Sequence, residues 1–206
     1  MLNKGGSSYN KTFLSYEELE ARVSAHIDPL SLPKVLDAYE MSRSVHEHQL
    51  RNDGTPYFWH STRVAKILLD ELHVNDCDLL ISALLHDILE DSDVITRGVL
   101  EYNFGSYVTY IVEVLTKNLD KARTDPEGVD LAHADTLKAA SEDCMLIKLA
   151  SRLDNIRCLE FNLKRNPLVY IQNTFQRYLP IADVSSNSRL HALAREIRQE
   201  ANKFLG

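Results

Sequence analysis

The stretch Ala83-Leu84-Leu85-His86-Asp87-Ile88-Leu89-Glu90-Asp91 sets an apolar run against four side chains that can ionise or bind metal, packed into six residues. Its apolar positions continue those of Leu79 and Leu80 at helical spacing, so they read as one buried helix capped by Asp76 or Asp78. A lone His-Asp pair beside such a run is explained as a hydrogen-bonded core pair. Three carboxylates and an imidazole are costly to bury without a cation, so Glu90 and Asp91 tip the reading towards a metal. Neighbouring side chains on a helix point about 100° apart, which lets His86 and Asp87 grip one ion from adjacent directions. His60, one helix upstream, can close a third direction. This ligand mixture suits Mn²⁺, Fe²⁺ or Zn²⁺. Glu90 and Asp91 follow His86 and Asp87 by four residues, one turn on, where they can orient or deprotonate a water at the ion.

Outward from this segment the pattern stays helical. Ser15, with Glu18 three residues on, marks a capping box that opens a helix over Tyr16 to His26. A second helix runs from Leu32 to about Gln49 and ends at the turn Asn52-Asp53-Gly54-Thr55-Pro56. Val64, Ile67, Leu68 and Leu72 place a helix over Ser61 to His73, and further helices are expected over Arg97 to Tyr102 and Tyr107 to Lys117. Asn118 to Gly128, charged and Pro-containing, reads as a mobile loop. From Ser141, Leu146, Leu149, Ala150, Leu153 and Ile156 form a core stripe, while Ser151, Asp154, Asn155 and Cys158 share an adjoining face that can look into a cleft. Pro167 to Asp183 and Ser188 to Phe204 complete an all-α bundle of about eight to ten helices.

Composition agrees. Only 7 Gly and 6 Pro punctuate 206 residues, too few turn signals for a sandwich or barrel. The expected organisation is a flexible tail over residues 1–14 and a single domain over 15–206. No signal peptide or spanning segment is apparent. Cys77, Cys144 and Cys158 form neither a C-x-x-C pair nor an even set, which fits a reducing cytoplasm. A net charge of −7 argues against nucleic acid as a partner but not against a small anionic ligand. Lys148, Arg152, Arg157, Lys164 and Arg165 could focus such a ligand if they share one cleft, or could form an ordinary solvated face.

These motifs resemble the hydrolase domain of RelA/SpoT homologues, and in particular the stand-alone small alarmone hydrolases. His46 to Tyr57 is similar to the family's A-H-x-G-Q-x-R-x-x-G-x-P-Y, and Ala83 to Asp91 to its A-L-L-H-D-x-x-E-D. Phe104-Gly105 with Val114 to Lys117 resembles F-G followed by G-V-T-K, and Leu146 to Arg157 resembles L-I-K-L-A-D-R-L-x-N-x-R. Asn173 to Ala182 is similar to E-T-L-x-x-Y-A-P-L-A. The likeness covers roughly residues 35 to 185 and leaves no length for the synthetase domain of two-domain members. It implies an all-α HD-domain helical bundle, Mn²⁺ dependence, and hydrolysis of the 3′-pyrophosphate of guanosine tetra- or pentaphosphate to GDP or GTP and pyrophosphate. It further implies metal binding by His60, His86 and Asp87, management of the attacking water by Glu90 and Asp91, and nucleotide contacts from Arg51, Asn155 and Tyr178.

Two positions depart from that pattern. Ser151 stands where the family carries its fourth metal ligand, an Asp, and a neutral hydroxyl is a weak ligand. Asp154, about 4.5 Å further along the axis with a side chain leaning back, is the candidate replacement, directly or through a water. Asn52 stands where a basic residue is usual, so one phosphate or base contact is expected to be missing. The favoured reading is an active alarmone hydrolase. Its rivals are an HD phosphohydrolase acting on another nucleotide such as NADPH, and a degenerate HD domain that binds nucleotide without turnover because of Ser151.

Overall fold

The structure, a computed structural model, describes residues 8–162 and 164–206. Its helices are α1 (Tyr16–Val23), α2 (Leu32–Val45), α3 (Phe58–Asp70), α4 (Cys77–Leu85), α5 (Ile88–Asp91), α6 (Arg97–Phe104) and α7 (Ser106–Leu115). They continue with α8 (Leu119–Thr124), α9 (Pro126–Ala139), α10 (Glu142–Arg157), α11 (Pro167–Asn173), α12 (Leu179–Asp183) and α13 (Ser188–Leu205). No strand occurs among the described residues; a single antiparallel bridge joins Leu50 and Pro56. No helix is long and apolar enough to cross a membrane among these residues.

Two helices organise the core. In α4 every residue from Leu79 to Leu85 is buried, because its sequence is apolar all round rather than on one stripe. It packs against α2, α3, α7 and α10. Helix α10 is buried over most of its length and packs against α3, α7 and α13. Helices α3, α4 and α10 therefore meet at the centre; α3 carries His60, α10 carries Ser151, and His86 follows directly on the last residue of α4.

Most helices lie where periodicity put them, with ends shifted by a few residues. The Ser15 capping box is present, with Glu18 N donating to Ser15 Oγ and Ser15 N to Glu18 Oε2. Asp76, rather than Asp78, caps α4 through Leu79 N.

Four expectations are corrected. The helix read as continuous through His86 ends at Leu85 and restarts at Ile88; Asp87 has φ −104° and ψ 1°, and His86 Nδ1 bonds Ala83 O at 2.8 Å. Asn118 to Gly128, read as a loop, is helix α8 and the start of α9. Asn118 and Asp125 cap these by accepting from Lys121 N and Gly128 N, both at 2.9 Å, and Pro126 occupies a first-turn position where its missing N–H costs nothing. Pro167 to Asp183 is helical throughout but not regular: α11 and α12 join without a gap through a π-turn over Thr174–Tyr178. Pro180 cannot donate backwards, so the ladder cannot run straight through. Finally, residues 8–14 of the expected tail pack on the bundle: Leu14 is fully buried, Phe13 stacks on Trp59 at 4.9 Å, and Tyr9–Lys11 forms a 3₁₀ turn. The remainder of that tail, residues 1–7, lies outside the described residues.

Candidate metal centre and its cleft

His60 enters from the first turn of α3, and the preceding turn sets its approach. Gly54 takes φ 81°, a left-handed conformation that a side chain would strain. Asp53 Oδ1 accepts from Thr55 N at 3.0 Å and Thr55 Oγ1 at 2.7 Å, and Arg51 N donates to Thr55 O at 2.8 Å. This tight loop presents Arg51 beside α10 and hands the chain to α3.

The break between α4 and α5 supplies the other two groups. Donor atoms of His60, His86 and Asp87 all lie within 4.8 Å of one another. His60 Nε2 is 3.8 Å and His86 Nε2 3.2 Å from Asp87 Oδ2, and the imidazole centroids are 5.1 Å apart. His86 Nε2 is buried and has no hydrogen-bond partner. A buried nitrogen aimed at a second imidazole and a carboxylate is an unmet coordination demand, and a divalent cation fits it. Tyr57 donates to Asp87 Oδ2 at 2.7 Å and steadies that carboxylate from the cleft side.

The electrostatics follow from burial. Burial pushes His60 down to about 4, against the opposing pull of Asp154, so the ring is neutral and a competent ligand. Burial also disfavours charge on His86 and Asp87, but each favours the other's ion: His86 sits above its usual range and Asp87 well below its own. Glu90 and Asp91 are both raised, by burial first and then by the Asp87 charge.

The cluster borders a cleft of about 300 Å³, at the lower end of the roughly 300–1,000 Å³ of small-molecule sites. His60, Asp87 and Glu90 line it. Lys117, Lys148, Arg152 and Arg165 supply cations, and Arg51, Tyr57, Asn155 and Tyr170 line the rest. Lys148 has its ammonium pushed down to about 7 by burial and then by Lys117 and Arg152. Part of the cationic run read from sequence thus shares one cleft, whereas Arg157 turns away to bond Glu71. Asn52 lines the rim and donates to Asn162 Oδ1 at 3.1 Å.

The remaining sequence candidates are distributed less simply. Arg51 and Asn155 meet, Arg51 donating to Asn155 Oδ1 at 2.5 Å. Glu90 Oε1 accepts from Lys117 N at 2.5 Å. Asp91 does not line the cleft; its carboxylate lies 3.8 Å from His46 Nδ1. Tyr178 is fully buried and lies behind the wall: it donates to Asp130 Oδ1 at 2.7 Å, and Arg152 sits 3.8 Å over its ring. Its place corrects the expectation of a nucleotide contact. Asp154 stands outside the metal-competent cluster, which corrects its reading as the fourth ligand: both its oxygens are bonded behind His60. Ser151 Oγ lies 3.2 Å from His60 Nε2, the ring nitrogen opposite the one that Asp154 bonds.

Sequence reasoning missed Asp130, which gathers Lys117 Nζ at 2.6 Å, Arg177 at 2.9 Å and Arg152 at 3.5 Å. It holds two cleft cations in place from behind. No motif carried it, and its segment had been given no element. Tyr57 and Tyr170 stood in quoted or helical stretches with nothing to distinguish a cleft tyrosine from a core one.

Residues 38–184 match the family model described as an HD domain. The chain belongs to the HD-domain family. Within it, this HD domain is 33% identical over 168 residues to a guanosine-3′,5′-bis(diphosphate) 3′-pyrophosphohydrolase of Aquifex aeolicus, covering 81% of this chain and 23% of that one. It is 34% identical over 171 residues to a GTP pyrophosphokinase of Brucella melitensis, covering 80% and 22%. The chain thus spans less than a quarter of the length of these curated relatives. A solved structure described as a metazoan ortholog of SpoT that hydrolyzes ppGpp superposes with a TM-score of 0.69 at 27% identity, covering 84% of this chain and 97% of that one.

Proposed function

We propose that this HD domain hydrolyses the 3′-pyrophosphate of guanosine tetra- or pentaphosphate, taking up one water and releasing GDP or GTP with pyrophosphate. The observation that carries the reading is one cleft lined by His60, Asp87 and Glu90 together with Lys117, Lys148, Arg152 and Arg165. The activities named for the Aquifex and metazoan relatives supply the substrate class. Bound at His60, His86 and Asp87, a divalent cation, Mn²⁺ in this proposal, would acidify water and neutralise phosphoryl charge.

The protein's own groups account for the rest. Glu90, anchored at one oxygen by the Lys117 amide and raised by burial and Asp87, is suited to take a proton from water. The cleft cations receive the pyrophosphate, with Lys117 and Arg152 prevented from wandering by Asp130. Arg51 and Tyr170 offer planar faces to a purine, and Arg51 is held flat by Asn155.

One observation favours a second reading, nucleotide binding without turnover: Ser151, a neutral hydroxyl, stands at His60 Nε2. Incubating Mn²⁺-loaded protein with guanosine tetraphosphate and separating products by anion exchange decides between them. GDP with pyrophosphate in equal amounts supports hydrolysis. Tight binding with intact substrate supports the second reading.

A further inference from the structure

Asp154 is fully buried on α10, and its hydrogen bonds converge on the rear of the metal-binding cluster. Oδ2 lies 2.6 Å from His60 Nδ1. Oδ1 accepts from Arg63 Nε at 2.6 Å and from Tyr9 Oη at 2.9 Å. Arg63 NH2 and Arg51 NH1 approach Oδ2 at 3.3 and 3.4 Å. Arg63 is itself buried and is tied to the carbonyls of Asn10 at 3.2 Å and Thr12 at 2.9 Å. A continuous path thus runs from the N-terminal segment through Tyr9 and Arg63 to Asp154 and on to His60.

A neutral imidazole has one N–H and one lone pair, and the partner of one nitrogen decides the state of the other. A carboxylate can only accept, so at 2.6 Å it fixes the proton on Nδ1 and leaves the Nε2 lone pair facing His86 and Asp87. We propose that Asp154 is the positioning residue of this metal centre: it sets the tautomer and ring orientation of His60, and Arg63 with the Tyr9–Thr12 segment holds Asp154 in place. Asp154 acts behind the ligand, while Ser151 occupies the metal-facing side. The inference rests on the assignment of a metal site to His60, His86 and Asp87, and does not depend on the nucleotide substrate.

Removing such a supporting carboxylate typically weakens metal binding about 10- to 100-fold. Calorimetric titration of the metal-free full chain with Mn²⁺ alone should show that loss in Asp154→Asn, and a smaller one in Tyr9→Phe. Long-range ¹H–¹⁵N correlation of the metal-free wild type should place the His60 proton on Nδ1, a signature that a merely structural Asp154 would not require. That measurement stands even where Asp154→Asn fails to fold with Arg63 left unpaired. An Asp154→Asn affinity within twofold of wild type overturns the proposal, as does a proton on Nε2 or a wild type that binds no Mn²⁺. A protein that shows the Nδ1 proton and the loss of Mn²⁺ affinity, yet leaves guanosine tetraphosphate intact, refutes the proposed hydrolysis and upholds this inference.

Discussion

Replacing Glu90 by Gln keeps the length of the side chain and its carbonyl acceptor for the Lys117 amide, while removing the group that can take a proton from water. The stability cost should be small: a hydrogen bond to a charged acceptor is worth about 1.5–3 kcal/mol and a neutral one about 0.5–1.5, so the change costs about 1 kcal/mol. Lost general-base catalysis typically lowers rate by about 10²- to 10⁴-fold, or roughly 2.7–5.4 kcal/mol in the barrier. Burial and the Asp87 charge both make Glu90 a stronger base than an exposed carboxylate. A loss towards the upper end is therefore expected. Rapid-quench single-turnover measurement with guanosine tetraphosphate at saturating Mn²⁺ reads the chemical step, and titrations of Mn²⁺ and of nucleotide should stay within about threefold of wild type. A variant that turns over within threefold of wild type refutes the role given to Glu90 and moves the search to Asp91.

Ser151→Asp puts a carboxylate beside His60 Nε2, 3.2 Å from the present hydroxyl, and should tighten Mn²⁺ binding about tenfold or more; unchanged affinity by calorimetry would show that α10 does not reach the ion. Tyr178→Phe removes the donor to Asp130 and should lower stability by about 1.5–3 kcal/mol with little change in KM for nucleotide; a tenfold KM rise at wild-type stability would instead make Tyr178 a substrate contact. Burial alone would raise the Asp130 carboxyl, but Lys117 and Arg152 outweigh it and hold the group far below its usual range. Its stabilisation is complete above the unfolded carboxylate value of about 3.9 and fades as pH falls through and below it. Calorimetry should therefore show Asp130→Asn less stable at neutral pH, by on the order of 3 kcal/mol, and with a shallower decline in melting temperature below about pH 4; parallel pH profiles would contradict this.

The metal cluster was legible because its residues sit in a short, otherwise apolar sequence where ionisable groups need a reason. The break that positions them was not. Helical spacing from Leu79 to Ile88 is unbroken in the sequence, and nothing in it marks the interruption, where His86 Nδ1 bonds the Ala83 carbonyl. The same limit applies to Asp154. Helix geometry placed it on a face shared with Asn155, and Asn155 does line the cleft. The direction of the Asp154 carboxylate was decided elsewhere, by Arg63 on α3 and Tyr9 near the N-terminus, 91 and 145 residues away. Pro126 misled for a local reason. A proline inside a charged stretch reads as a breaker, yet after a capping Asp it starts a helix as readily as it ends one. Tyr178 and Asp130 were out of reach, because which tyrosine meets the cleft and which lies behind it depends on the π-turn and the packing of α9.

The most direct test of the account is hydrolysis of guanosine tetraphosphate by Mn²⁺-loaded wild type in H₂¹⁸O, with products examined by mass spectrometry beside His86→Ala. Attack on the phosphorus joined to the ribose 3′ oxygen places one ¹⁸O in pyrophosphate and none in GDP, and the variant, stripped of a metal ligand, should give no product. Release of orthophosphate, label in GDP, or equal turnover by His86→Ala would contradict the account.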